Sequence, residues 1–154
     1  KLVKLSMLFK KELKMLKRIL SKFLLSMELF LMSNMGSMVE ATCACGYSSG
    51  VMGLGGDRGN YLTYCGFPCY CSACKSLFVA NMYAPDVLCA NCDASSVVPY
   101  DDPILELTHG VVNEIFSWNT TKRLGRELKL HDSKYLCPSC DDVSLTFEST
   151  GVFS

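Results

Sequence analysis

The chain has 154 residues, 49% of them hydrophobic, with ten cysteines, two histidines and no formal net charge. That length suits one ordinary domain, and the absence of any 18 consecutive apolar residues argues against a membrane-spanning helix. The zero net charge conceals a basic segment, residues 1–34 at +6, joined to an acidic remainder at −6, which disfavours phosphate and hence nucleic acid as a partner of the body.

In chain order the basic leader comes first. Lys1, Lys4, Lys10, Lys11, Lys14, Lys17, Arg18 and Lys22 face only Glu12 and Glu28. Apolar residues at 2, 5, 9, 13, 16, 20, 23, 27 and 30 follow the three-and-four spacing of a helix, with most basic residues off that stripe. The expectation is an N-terminal amphipathic helix, and three readings of it stay open. It is a helix lying on an anionic membrane surface, the only part of the chain suited to one. It is a secretory signal built on "FLLSMELFLM", although Lys22 and Glu28 break the apolar run and no small-residue cleavage site follows. Or it is a translated upstream stretch foreign to the native protein, since the chain opens on Lys and Met35 and Met38 precede the first cysteines.

Residues 35–154 form the expected body, and cysteine spacing dominates it. Cys43-x-Cys45, Cys71-x-x-Cys74, Cys89-x-x-Cys92 and Cys137-x-x-Cys140 are four close pairs. Disulfide frameworks scatter their cysteines to close long loops, whereas metal knuckles draw two thiolates from one tight turn onto one ion. The spacing therefore points to metal-held thiolates and a cytoplasmic location.

The Gly-rich stretch "SSGVMGLGGDRGNY" misses the dinucleotide fingerprint, because Arg58 stands where the third Gly belongs, and it reads as a flexible connection. "SLFVANMY" reads as a strand, "APD" as a turn, "VLC" as a returning strand and "SVVPY" as a third strand. With a cysteine pair on either side of that hairpin, residues 69–100 have the layout of an inner zinc ribbon. "DDPILELTHGVVNEIFSWN" predicts a short helix capped by Asp102 with Pro103 at its first position, weakened by Gly110. "RELKLHDSKYLCPSCDDVSLTFES" predicts strand, turn, strand, knuckle and strand.

An internal repeat links the last two knuckles. "VLCANCDASSVV" (87–98) aligns without a gap on "YLCPSCDDVSLT" (135–146), sharing Leu, both Cys, the following Asp and one Ser. The short connection ties 89/92 to 71/74 and leaves 43/45 for 137/140. The expected fold is thus small and mainly β, with two nested zinc ribbons and one short helix. The outer ribbon combines residues 41–47 with 127–150.

From about residue 38 onward the chain resembles the small zinc-ribbon proteins of bacteria, many of which have no assigned function. The residues that carry the resemblance are Cys43, Cys45, Gly46, Cys71, Cys74, Cys89, Cys92, Cys137, Pro138 and Cys140. Cys45-Gly46-Tyr47 and Cys137-Pro138-Ser139-Cys140 are also similar to rubredoxin knuckles, which hold iron. Four features depart from the pattern. The first pair is C-x-C, and Lys75, Asp93 and Asp141 stand where knuckles often carry Gly.

The expected metal ligands are Cys43, Cys45, Cys71, Cys74, Cys89, Cys92, Cys137 and Cys140, holding two Zn²⁺ per chain, with iron as the alternative. Cys65 and Cys69 have no complementary pair and read as small buried residues or a free thiol pair. His109 and His131 would complete three sites of four, but neither lies at a paired spacing. Four thiolates close the coordination sphere, and the metalloprotease and deaminase signatures are absent from the sequence, so no enzyme is expected. The functional expectation is a structural-zinc module with an unidentified protein partner. The alternatives are a nucleic-acid-associated ribbon using Lys122, Arg123, Arg126 and Lys129, or a rubredoxin-like iron electron carrier.

Overall fold

The computed structural model describes residues 14–22, 36–107 and 112–153. The chain divides into two compact units, Lys1–Ser33 and Asn34–Ser154. In the first, residues 14–22 form a helix, α1, whose side chains are all exposed. The rest of the predicted leader helix lies outside the described residues. No described helix is long and apolar enough to cross a membrane.

The second unit is mainly β. Its elements are β1 (Gly36–Thr42), β2 (Ser48–Leu54), β3 (Gly66–Cys71), β4 (Ser76–Asn81), β5 (Val97–Pro99), β6 (Glu106–Leu107), β7 (Glu114–Trp118), α2 (Thr121–Leu124), β8 (Leu128–His131), β9 (Lys134–Leu136) and β10 (Val143–Phe153). They form a five-stranded sheet in the order β2-β1-β10-β9-β6, a three-stranded sheet in the order β4-β3-β5, and the pair β7-β8. Every strand pairing is antiparallel.

Period-two alternation explains why these segments are strands. Val39 and Ala41 of β1, and Leu145 and Phe147 of β10, point inward, while Thr42 and Glu148 point out. β3 is buried along its whole length, as the central strand of its sheet. A single apolar cluster joins the three sheets, with Phe67, Tyr70, Tyr100, Phe116, Trp118, Leu130, Tyr135, Leu145 and Phe147 among its members.

Four sequence expectations need correction. Among the described residues, the helix predicted after Asp102 does not form. Asp102 Oδ1 does accept from the N–H of Ile104 at 3.0 Å, but the N–H of Leu105 then closes a turn onto the Asp102 carbonyl. β-Branched Thr108, Val111, Val112 and Ile115 follow, and Phe116 and Trp118 alternate with exposed Ser117, the period of a strand.

The inner hairpin is also shifted. "VLC" does not return as a strand, and β4 pairs instead with β3, from Gly66↔Asn81 to Cys71↔Ser76. The 71–74 knuckle is therefore the tip of this hairpin, where the sequence suggested its base. β8 pairs with β7 and not with its neighbour β9.

Lastly, the Gly-rich connection begins as strand β2. At its end the N–H and C=O of Gly55 bond the C=O and N–H of Gly66, each at 2.7 Å, which fastens the five-stranded sheet to β3. Gly55 has φ +80°, and a Cβ there would stand 2.5 Å from the Trp118 ring. Gly55→Ala combines left-handed strain with overpacking. It is expected to cost about 3 kcal/mol, read as a lowered midpoint in chemical denaturation.

Candidate metal centres

Three of the knuckles follow the end of a strand (β1, β3 and β9), the 89–92 knuckle follows irregular chain, and all four close on a residue with left-handed backbone. In the 89–92 knuckle the N–H of Asp93 donates to the Cys89 carbonyl at 2.9 Å, and the N–H of Cys89 donates to the Ala94 carbonyl at 2.9 Å. The 137–140 knuckle repeats the pattern, with Asp141 to Cys137 at 3.0 Å and Cys137 to Asp142 at 2.8 Å. The sequence repeat is thus a repeat of backbone hydrogen bonds. The C-x-C knuckle makes the same two bonds one residue earlier, Gly46 to Cys43 and Cys43 to Tyr47, both at 3.0 Å.

The residue after the last cysteine has positive φ in all four knuckles: Gly46 at 92°, Lys75 at 51°, Asp93 at 57° and Asp141 at 61°. The departures from Gly therefore leave the knuckle geometry unchanged. Asp tolerates this conformation better than most residues, and Lys tolerates it less well.

These turns gather eight thiols into two groups of four. Cys43, Cys45, Cys137 and Cys140 form an outer tetrad, and Cys71, Cys74, Cys89 and Cys92 an inner one. Within each, all sulfurs lie within 4.8 Å of one another. The closest contacts are Cys43–Cys140 at 3.8 Å, Cys45–Cys137 at 3.7 Å, Cys71–Cys92 at 3.7 Å and Cys74–Cys89 at 3.6 Å. Four sulfurs each about 2.3 Å from a central ion stand about 3.8 Å apart along a tetrahedron edge. The donor set and its spacing fit a tetrahedral thiophilic metal.

A backbone donor and one serine complete each site. The N–H of Asn91 reaches Cys89 Sγ, and that of Ser139 reaches Cys137 Sγ, both at 3.4 Å. Ser144 Oγ lies 3.1 Å from Cys43 Sγ, and Ser76 Oγ 3.1 Å from Cys74 Sγ. Sequence reading missed both serines. Ser144 is the Ser shared by the two repeats, which was a usable signal. Ser76 carried none.

The N–H of Cys45 and the Ser144 hydroxyl bring the Cys43 thiol down to about 6. At Cys89 burial pushes the other way, yet the Asn91 N–H and the Ser76 hydroxyl outweigh it and bring that thiol to about 6 as well. Burial holds Cys137 up at about 12. At Cys92 the N–H of Ala94 favours the thiolate, but the thiols of Cys74, Cys89 and Cys71 together push it up to about 12. Without a cation, each tetrad keeps protons because four adjacent negative sulfurs repel.

The other candidates stand apart. Cys65 and Cys69 are buried, belong to neither tetrad, and are each pushed up to about 12 by burial. Cys69 packs its sulfur 3.8 Å from that of Met82. His131 pairs its Nδ1 with Glu106 Oε1 at 3.1 Å, and His109 lies outside the described residues. Three members of the basic cluster have partners: Arg123 lies over the Tyr83 ring, Arg126 pairs with Asp101, and Lys129 pairs with Glu114 and Glu127. The chain matches no protein-family model, no curated protein and no solved structure.

Metal and protons compete for these sulfurs, and at neutral pH the metal must displace the protons still held at thiols such as Cys92 and Cys137. Metal uptake should release protons at pH 7, measurable in a weakly buffered titration with an indicator dye. Affinity should fall as pH drops through about 6, where Cys43 and Cys89 also protonate. A pH-independent affinity would show that the tetrads are not the ligands.

Proposed function

We propose that the body is a structural metal module, holding one Zn²⁺ in each tetrad, with the outer ribbon enclosing the inner one in sequence. The observation that carries this reading is the sulfur spacing, 3.6–3.8 Å at the closest contacts of both tetrads, the edge of a metal–thiolate tetrahedron. Such an ion would neutralise the crowded thiolates and tie the two turns of each tetrad together, beside the strand pairings that already bring them near. With four protein ligands it leaves no open position for water or substrate, so its role is to hold the fold.

The functional surface is then the protein around the ions. The acidic body becomes more so when loaded, since each ion with four thiolates adds −2. Four of its seven basic residues, Lys75, Arg123, Arg126 and Lys129, are already partnered. Both points favour a protein partner over nucleic acid. Thiols that stay reduced also fit a cytoplasmic setting. Iron in the same cages is the second reading, favoured by the N–H···S bond to Cys137 in its rubredoxin-like knuckle, which the Cys89 knuckle also makes.

Elemental analysis of the purified chain should give two zinc equivalents and a colourless protein, whereas iron would make it red. Cys140→Ser should reduce the content to one. Replacing Cys65 and Cys69 together by Ala should leave it at two, with stability lowered by about 1–3 kcal/mol for the two small core truncations. Fewer than two equivalents in the parent chain, or a loss on changing Cys65 and Cys69, would refute the assignment.

A further inference from the structure

The two tetrads are separate in ligands but not in their surroundings. β5 follows the 89–92 knuckle and pairs with β3, placing Val97 opposite Cys71. The next residue after β5 is Tyr100, which is fully buried. Its N–H donates to the Pro68 carbonyl of β3 at 3.0 Å. Its hydroxyl donates to the Leu136 carbonyl at 3.0 Å, one residue before the outer ligand Cys137. Its ring meets Tyr70, one residue before the inner ligand Cys71, at 6.5 Å, and Tyr135 and Phe147 of the outer ribbon at 6.0 and 5.2 Å.

The far ends of the same two knuckles also meet. Lys75, one residue after Cys74, forms an ion pair with Asp141, one residue after Cys140. Knuckles 71–74 and 137–140 are therefore joined before their first ligand through Tyr100 and after their last through Lys75 and Asp141.

We infer that the two metal centres are energetically coupled, with Tyr100 as the positioning residue, so that loading either tetrad raises the metal affinity of the other. This rests on the two-centre reading above. Metal binding orders a knuckle, and ordering costs conformational entropy. Once the inner ion fixes β3 and β5, Tyr100 holds the Leu136 carbonyl, and Cys137 is presented in place. The outer site then has less left to order. Linkage makes the effect reciprocal: the outer ion must favour the inner site by the same factor. Lys75 and Asp141 contribute less, because both side chains are more than half exposed and an exposed ion pair is screened.

The test is a competition titration of zinc against a chromophoric chelator on the full chain. Cys74→Ser disables the inner tetrad and Cys45→Ser the outer, each at an exposed ligand. Each should weaken the surviving site about tenfold relative to its affinity in the parent chain, by equal factors. Tyr100→Phe keeps the ring and removes the hydroxyl, and in these backgrounds it should bring both factors toward one. A second measurement needs no change at Tyr100. In Cys45→Ser protein, zinc in the inner site alone should slow amide exchange at Leu136 and Cys137. Should the parent bind two ions while both factors equal one and exchange at those amides is unaltered, the coupling is wrong and the two-centre reading survives. If the parent binds fewer than two, the two-centre reading itself fails.

Discussion

Four sulfurs within 4.8 Å of one another are the constraint on which this fold is built. Thiols can crowd in that way only if most stay protonated or if a cation stands among them. Either way the backbone must hold two turns at one point against the tendency of their chains to diverge. The body meets this twice, with turns that differ in length, three of which share a hydrogen-bond pattern. Its sheets extend away from the two points, and the apolar cluster fills the space between them. The thiols left out of the crowd behave differently: Cys65 and Cys69 sit in the apolar interior as small side chains.

The closing residue of each knuckle shows how sequence serves this geometry. Glycine is the inexpensive choice at positive φ, yet it stands at only one of four positions. At the others the chain accepts some backbone strain, and at two of them it gains an ion-pairing side chain. Lys75 and Asp141 use the left-handed turn to reach each other across the two knuckles. Asp93 has the same conformation with no such partner in its own repeat, so the conformation itself, and not the ion pair, is what the knuckle requires.

Legibility in the sequence followed the range of the interactions involved. The four close pairs were readable because a knuckle is local: its ligands, its turn and its two backbone bonds lie within six residues. The grouping of 43/45 with 137/140 came from elimination, and the structure brings those four sulfurs together. What failed was non-local. Nothing near β4 indicates that its partner is β3 and not the returning "VLC". The segment after Asp102 carries a valid cap and a helical first proline. Only the alternation of Phe116 and Trp118, buried against the core, shows which local preference prevails. Gly55 looked like part of a flexible loop because Trp118, the side chain that requires it, is distant in sequence.

The pairing of β1 with β10 has a further consequence. Their register runs from Thr42↔Thr146 beside the outer knuckle to Gly36↔Phe153 at the opposite end. The first and last described residues of the body are thus hydrogen-bonded neighbours, with the Phe153 ring lying over Gly36. A short linker could close the body into a ring. It could then be reopened in the exposed turn at Leu62 and Thr63 without cutting a knuckle. In such a circular permutant Cys137 and Cys140 would precede Cys43 and Cys45 in the chain, with the closing linker between them, and the roughly ninety residues that now separate the two halves of the outer tetrad would shrink to a few tens. Ring closure of that site would then be a local event, as it already is for the inner tetrad.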